Sequence, residues 1–227
     1  MDKTISKPLR IGHRGAAGHA PENTVESVAK AVALGADLVE VDVQVTRDGH
    51  LVIMHDKRVN RTTDGTGYVS ALTLAELRKL DAGGGQSVPT LEEVLACAHG
   101  RAGLILELIS EGIAEQVCAA VRGRGFDGPV IYASFLHPEL QKVRSADPSA
   151  RTMTLFEGVP VMPTSFATDA QASAVGLALD SVTDSFVADL RAAGLQVFIY
   201  TVNDPQDIQL VKSLEVDGII SDFPDLI

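Results

Sequence analysis

Two acids and two histidines carry the chemistry this sequence can do. Glu40 and Asp42 stand two residues apart in the run Val39-Glu40-Val41-Asp42-Val43. On a strand that spacing turns both carboxylates to one face, where they can converge on a single metal ion. The valines mark a core strand, and two acids facing inward from it would be costly without a cation. His13 ends one apolar run and His55 follows another, so the pair is placed to serve as acid and base around that ion. The bland readings compete: a lone strand-end carboxylate more often caps or pairs, and a lone histidine is as often simply hydrogen-bonded.

Short apolar runs alternate with amphipathic stretches along the chain, the pattern of a parallel α/β fold. Strands are expected at Leu9 to His13, Asp37 to Val43, Leu51 to Met54, Gly103 to Leu108, Pro129 to Ser134, Arg151 to Leu155, Ala174 to Leu179, Gln196 to Thr201 and Gly218 to Ser221. That is one strand too many for an eight-stranded barrel. The surplus resolves at Arg47-Asp48-Gly49, a turn too short for the crossover that parallel strands need. The third run must therefore return antiparallel as a hairpin, bringing His55 near Glu40 and Asp42. The other eight predict a (β/α)8 TIM barrel, whose active sites sit at the C-terminal ends of the strands. His13, Glu40, Asp42 and Glu107 all fall there.

Helices are expected over Thr24 to Leu34, Thr90 to Ala98, Ile113 to Arg124, Pro138 to Ala146, Thr183 to Ala193 and Pro205 to Leu214, several with cap signals. Residues 56–86 are rich in Gly, Asp and Thr around one short helical patch, Leu74 to Leu80. With the hairpin they form an excursion, about residues 44–90, over the barrel mouth, where a lid or substrate wall would sit. Asn23 and Thr24 most simply cap the first helix, Glu22 falls near the site, and Arg61 is expected to stabilise the mouth loop.

One domain over residues 1–227 is the economical reading of this length and composition. A net charge of −11 and the absence of any Lys/Arg cluster exclude a nucleic-acid or anionic-membrane binder and leave a small anionic substrate open. Cys97 and Cys118 have no ligand spacing and are expected as buried thiols. The N-terminal MDKTISKPLR has no signal-peptide core, and no run reaches the roughly 18 apolar residues of a membrane span. A cytoplasmic enzyme, with homo-oligomerisation open, is the expectation.

His13-Arg14-Gly15, Pro21-Glu22-Asn23-Thr24, Glu40-x-Asp42, His55-Asp56, Arg61-Thr62-Thr63, Pro89-Thr90-Leu91-Glu92-Glu93, Glu107, Thr201-x-Asn203 and Asp217-Gly218-Ile219-Ile220-Ser221-Asp222 follow one another in order. Together they resemble the glycerophosphodiester phosphodiesterases over nearly the whole chain. The resemblance implies a metal-dependent hydrolase releasing sn-glycerol 3-phosphate and an alcohol. It makes Glu40, Asp42 and Glu107 the metal ligands and His13 and His55 the acid and base. In the implied mechanism the substrate's own 2-hydroxyl attacks phosphorus, and water opens the resulting cyclic phosphate. Three carboxylates are hard donors that suit Ca2+ or Mg2+ better than zinc. Arg14 offers a planar donor to the phosphate, or else bridges to a ligand carboxylate.

Two positions depart from the family pattern. Ile109 stands where the family usually has a phosphate-holding Lys, so either Arg14 and the metal suffice, another base such as Lys142 or Arg151 substitutes, or phosphodiester turnover is weak and the true substrate differs. Tyr200 replaces a commoner Trp, keeping a stacking face for substrate. The alternatives are therefore a lysophospholipase D-like or cyclising enzyme acting on lysolipids, favoured if Ile109 lines an acyl channel, and a non-catalytic binding relative.

Overall fold

The nine expected strands all form in the structure, a computed structural model that describes residues 7–227. The first six residues of the N-terminal decapeptide lie outside the described residues. Strands β1 (Leu9–Gly12), β2 (Leu38–Val45), β4 (Gly103–Leu108), β5 (Val130–Ser134), β6 (Arg151–Phe156), β7 (Ala174–Ala178), β8 (Gln196–Tyr200) and β9 (Gly218–Ser221) run parallel, each beside the next. β1 pairs with both β2 and β9, which closes the sheet into an eight-stranded barrel. The ninth strand, β3 (Leu51–Ile53), is antiparallel to β2, as the Asp48-Gly49 turn requires.

The strand pattern sorts side chains onto two faces. Val39, Val41 and Val43 of β2 point outward and pack with Leu104, Leu106 and Leu108 of β4 under the surrounding helices. Ile11, Leu38, Ile105, Ile131, Met153 and Phe198 fill the barrel interior. This alternation makes Glu40 and Asp42, on the inward face, the exception in a packed core.

The helices are α1 (Val25–Ala33), α2 (Leu74–Leu77), α3 (Leu91–Ala98), α4 (Ala114–Gly123), α5 (His137–Ala146), α6 (Ser165–Asp169), α7 (Asp184–Ala192) and α8 (Pro205–Ser213). Thr24 caps α1 by accepting the Ser27 amide, and Thr90 and Glu93 form a reciprocal capping box on α3. The short α6 was not expected. Its sequence, Ser-Phe-Ala-Thr-Asp, is too brief to show a helical period, and tertiary packing of Phe166 on Phe156 at 4.4 Å settles it. The excursion has a small core of its own, Val52, Met54, Val59, Val69, Leu77, Ala82 and Val88, which makes it a structured wall over the mouth.

Candidate active site

Strand β2 delivers three side chains to the mouth at intervals of two: Glu40, Asp42 and Gln44, all buried. Glu107 on β4 lies directly opposite Asp42 in the parallel register. Donor oxygens of Glu40, Asp42 and Glu107 lie within 4.8 Å of one another. The amide of Arg14 donates to Glu40 Oε2 at 2.8 Å, whereas Glu40 Oε1 is buried with no partner. Burial, compounded by Asp42 and Glu107, pushes the Glu40 carboxyl well above its usual range. Burial and the Asp42 charge raise Glu107 to about 8. An all-oxygen set with an orphaned buried carboxylate oxygen fits a hard divalent cation, which would remove both penalties at once.

Arg14 lies in the left-handed region at φ 49°, followed by Gly15 at φ 91°. A Cβ on Gly15 would sit 2.2 Å from Ser27 Oγ, so only glycine lets the chain after β1 press onto α1 and aim the Arg14 amide at Glu40. The Arg14 guanidinium donates from Nη1 to Glu22 at 2.7 Å and holds Nε 3.6 Å from Asp42 Oδ2. The expected bridge to a candidate ligand carboxylate is thus formed.

Both histidines are set up alike. His13 Nδ1 bonds Asp222 Oδ1 at 2.7 Å, and His55 Nδ1 bonds Asp56 Oδ1 at 2.7 Å. A carboxylate only accepts, so each imidazole donates from Nδ1 and carries Nε2 free of that proton. Asp222 is held in turn by Asn203, whose Nδ2 donates to Oδ2 at 2.6 Å. Burial works against ionisation of Asp222, yet the bond from His13 keeps its carboxyl below the usual range. The His55 segment is pinned by Gln44, whose Nε2 donates to the carbonyls of Met54, His55 and Asp56. The Met54 amide also donates to the Asp42 backbone carbonyl at 2.9 Å, so the hairpin brings His55 back to the acidic strand as expected.

Arg61 ties the excursion to the barrel. It makes two bonds to Glu22, both 2.7 Å, and two to Asp56, at 2.8 and 2.9 Å. A continuous chain of ion pairs thus runs from the His55 partner through Arg61 and Glu22 to Arg14 and Asp42. Glu22 and Arg61 take the places expected of them. Asn23 does not: Thr24 alone caps α1, while Asn23 Nδ2 donates to Asp42 Oδ2 at 2.7 Å. Gln44 was not singled out in the sequence, and Asn23, Asn203 and Asp222 stood in its motifs with no role at the site; the His-to-Asp pairing across 209 residues leaves no local signal.

Tyr200 closes the far side, its hydroxyl donating to the Phe156 carbonyl at 3.3 Å and its ring edge-to-face with Phe135. With His13, Glu40 and Glu107 it surrounds a cavity of about 300 Å3, counting its open side, floored by Ile105, Met153, Leu155 and Ile220. Ile109 is half-buried beside β2 and does not line this cavity. Neither proposed stand-in for the family Lys reaches the site. Lys142 pairs with Glu139, a buried residue of α5 that also accepts the Gly112 and Ala114 amides, and Arg151 bonds Gln196 at the N-terminal end of the barrel.

The profile of the glycerophosphoryl diester phosphodiesterase family matches residues 13–226. A glycerophosphodiester phosphodiesterase of Caldanaerobacter subterraneus subsp. tengcongensis is 35% identical, the match covering 96% of each chain. One from Bacillus subtilis is 34% identical over 96% of this chain and 84% of its own. The fold superposes with a TM-score of 0.90 on a phosphodiesterase of Oleispira antarctica solved with the product sn-glycerol 3-phosphate, at 31% identity over 96% of this chain and 94% of that one. On this match in sequence and fold, the chain belongs to the glycerophosphoryl diester phosphodiesterase family.

Proposed function

We propose that the protein hydrolyses glycerophosphodiesters to sn-glycerol 3-phosphate and an alcohol, with His13 and His55 moving the protons. The observation that carries this is the pairing of two carboxylate-anchored histidines with the acidic triad at one barrel mouth. Glu40, Asp42 and Glu107 would hold the ion, Ca2+ or Mg2+, because hard carboxylate oxygens select hard cations. When bound, such an ion neutralises the phosphodiester and polarises its phosphorus–oxygen bonds.

The chain's own groups do the rest. Nε2 of one histidine accepts the proton of the attacking glycerol 2-hydroxyl, and Nε2H of the other protonates the departing alkoxide as its bond to phosphorus breaks. The roles reverse when water opens the cyclic phosphate. Arg14 orients Glu40 through its amide and Asp42 through its side chain. Tyr200 gives the substrate a stacking face. Within this proposal the enzyme acts on small diesters in the cytoplasm.

The test is incubation with glycerophosphocholine, with Ca2+, Mg2+ or EDTA in parallel and His13→Ala as control, measuring sn-glycerol 3-phosphate. Metal-dependent product absent from the variant is expected; product from His13→Ala at the parent rate would sink the assignment. A lysolipid reading draws support from the loop after β6, where Val159, Val161 and Met162 are 60%, 97% and 66% exposed. It requires turnover of lysophosphatidylcholine, and none at millimolar substrate would remove it.

A further inference from the structure

The mouth carries an acidic residue that belongs neither to the metal site nor to the ion pairs and histidine contacts around it. Glu157 is the first residue after β6, exposed, and among the described residues it has no ion-pair partner. Its place in the chain sets it beside Tyr200. It follows Phe156, whose carbonyl accepts the Tyr200 hydroxyl at 3.3 Å, and it continues at intervals of two the inward-facing series of Met153 and Leu155 on β6.

Tyr200 in turn meets Phe135 edge-to-face, ring centroids 6.2 Å apart and planes at 89°. Phe135 keeps 46% of its surface exposed at the end of β5, an unusual position for a ring with no polar handle.

Charge decides what this corner can receive. A divalent ion and Arg14 together cancel the three ligand carboxylates, which leaves the substrate's phosphodiester with nothing to spare. Neither Lys142 nor Arg151 brings a further positive charge to the site. An unpaired carboxylate beside such a site repels a diester whose other end is neutral or anionic. It attracts one whose other end is a cation. Two aromatic rings at right angles beside a carboxylate are also the surroundings in which an ammonium group gains most, because ring faces attract cations.

We infer that Glu157, Phe135 and Tyr200 form a subsite for an ammonium group on the alcohol half of the substrate, so that this chain prefers diesters of cationic alcohols. The inference rests on the glycerophosphodiesterase reading above. A quaternary ammonium would lean more on the rings, and a primary ammonium more on Glu157.

The test compares kcat/KM for glycerophosphocholine, glycerophosphoethanolamine and glycerophosphoglycerol in the parent, Glu157→Gln and Phe135→Leu, at saturating metal. Both changes are at exposed positions, and circular dichroism checks folding. Glu157→Gln is expected to lower the ratio of each cationic substrate to glycerophosphoglycerol by about 3–30-fold, mainly through KM, as the loss of a partly desolvated cation contact predicts. Phe135→Leu should lower the choline ratio more than the ethanolamine ratio. Ratios unchanged in both variants overturn the subsite while leaving the reaction intact. No sn-glycerol 3-phosphate from any of the three substrates in the parent overturns the reaction itself, and the subsite with it.

Discussion

Asn23 and Asp42 exchange two hydrogen bonds: Asn23 Nδ2 donates to Asp42 Oδ2 at 2.7 Å, and the Asp42 amide donates to Asn23 Oδ1 at 3.3 Å. One oxygen of a proposed metal ligand is thereby fixed by a residue outside the acidic set. Asn23 holds φ 58°, a left-handed conformation that Asn tolerates better than most residues. Asn23→Ala removes both bonds and adds backbone strain. It should weaken Ca2+ or Mg2+ binding by about 10–100-fold, the usual loss when a group that orients a ligand is removed. Calorimetric titration of the folded variant measures this, and parent-like affinity would reduce Asn23 to a turn residue.

Asp222 and Asp56 each fix the Nδ1 proton of a histidine. Asn in place of Asp can present its amide nitrogen and favour the opposite tautomer, which puts a proton where a base is needed. Asp222→Asn should lower kcat by about 10²–10⁴-fold with a much smaller change in KM, the scale of general acid–base catalysis. Steady-state kinetics on glycerophosphocholine decide it; a kcat within twofold of the parent would mean that the tautomer of His13 does not matter.

Much of this site was legible because its signals are local. Glu40 and Asp42 share a strand face by simple alternation, and Asp48-Gly49 forces the hairpin that returns His55. Thr90 and Glu93 announced α3 through their spacing alone. The supporting residues were not legible in the same way. Asn203 and Asp222 reach His13 only because β8 and β9 close the barrel against β1. Asn23 reads as a cap because Asn favours caps, and tertiary contact with Asp42 overrides that local preference. The fate of Lys142 and Arg151 was equally hidden, since strand position along the barrel axis decides it and charge does not.

Arg61 joins the excursion to the first loop of the barrel with four hydrogen bonds to two carboxylates. Its side chain is 47% exposed, so the value of these bonds lies more in geometry than in stability. Lys keeps the charge and loses the planar fork. Arg61→Lys should therefore change stability by less than about 1 kcal/mol while lowering kcat roughly tenfold, because Asp56 and with it His55 are no longer held at one angle. Urea unfolding and kcat measured on the same preparation separate the two effects. A large stability loss with unchanged kcat would assign Arg61 to the fold alone.

Glu22 gives the fold a specific acid sensitivity. Burial alone would raise its pKa, but hydrogen bonds from Arg61 and Arg14 prevail and hold it at about 2, against 4.5 for the free side chain. A carboxyl with a depressed folded pKa binds its proton more readily in the unfolded chain. Its stabilising contribution is therefore complete above about pH 4.5 and fades as pH falls toward 2. The full shift would correspond to about 3 kcal/mol, and solvent screening through the half-exposed Arg61 reduces this to roughly 1–2 kcal/mol. Glu22→Gln should be less stable than the parent by that amount at pH 6, with the difference shrinking to nothing near pH 2. Urea midpoints for the two proteins from pH 6 to 2 test it; a difference that stays constant across the range would mean the loss is one of packing, with no part played by the ionised carboxylate.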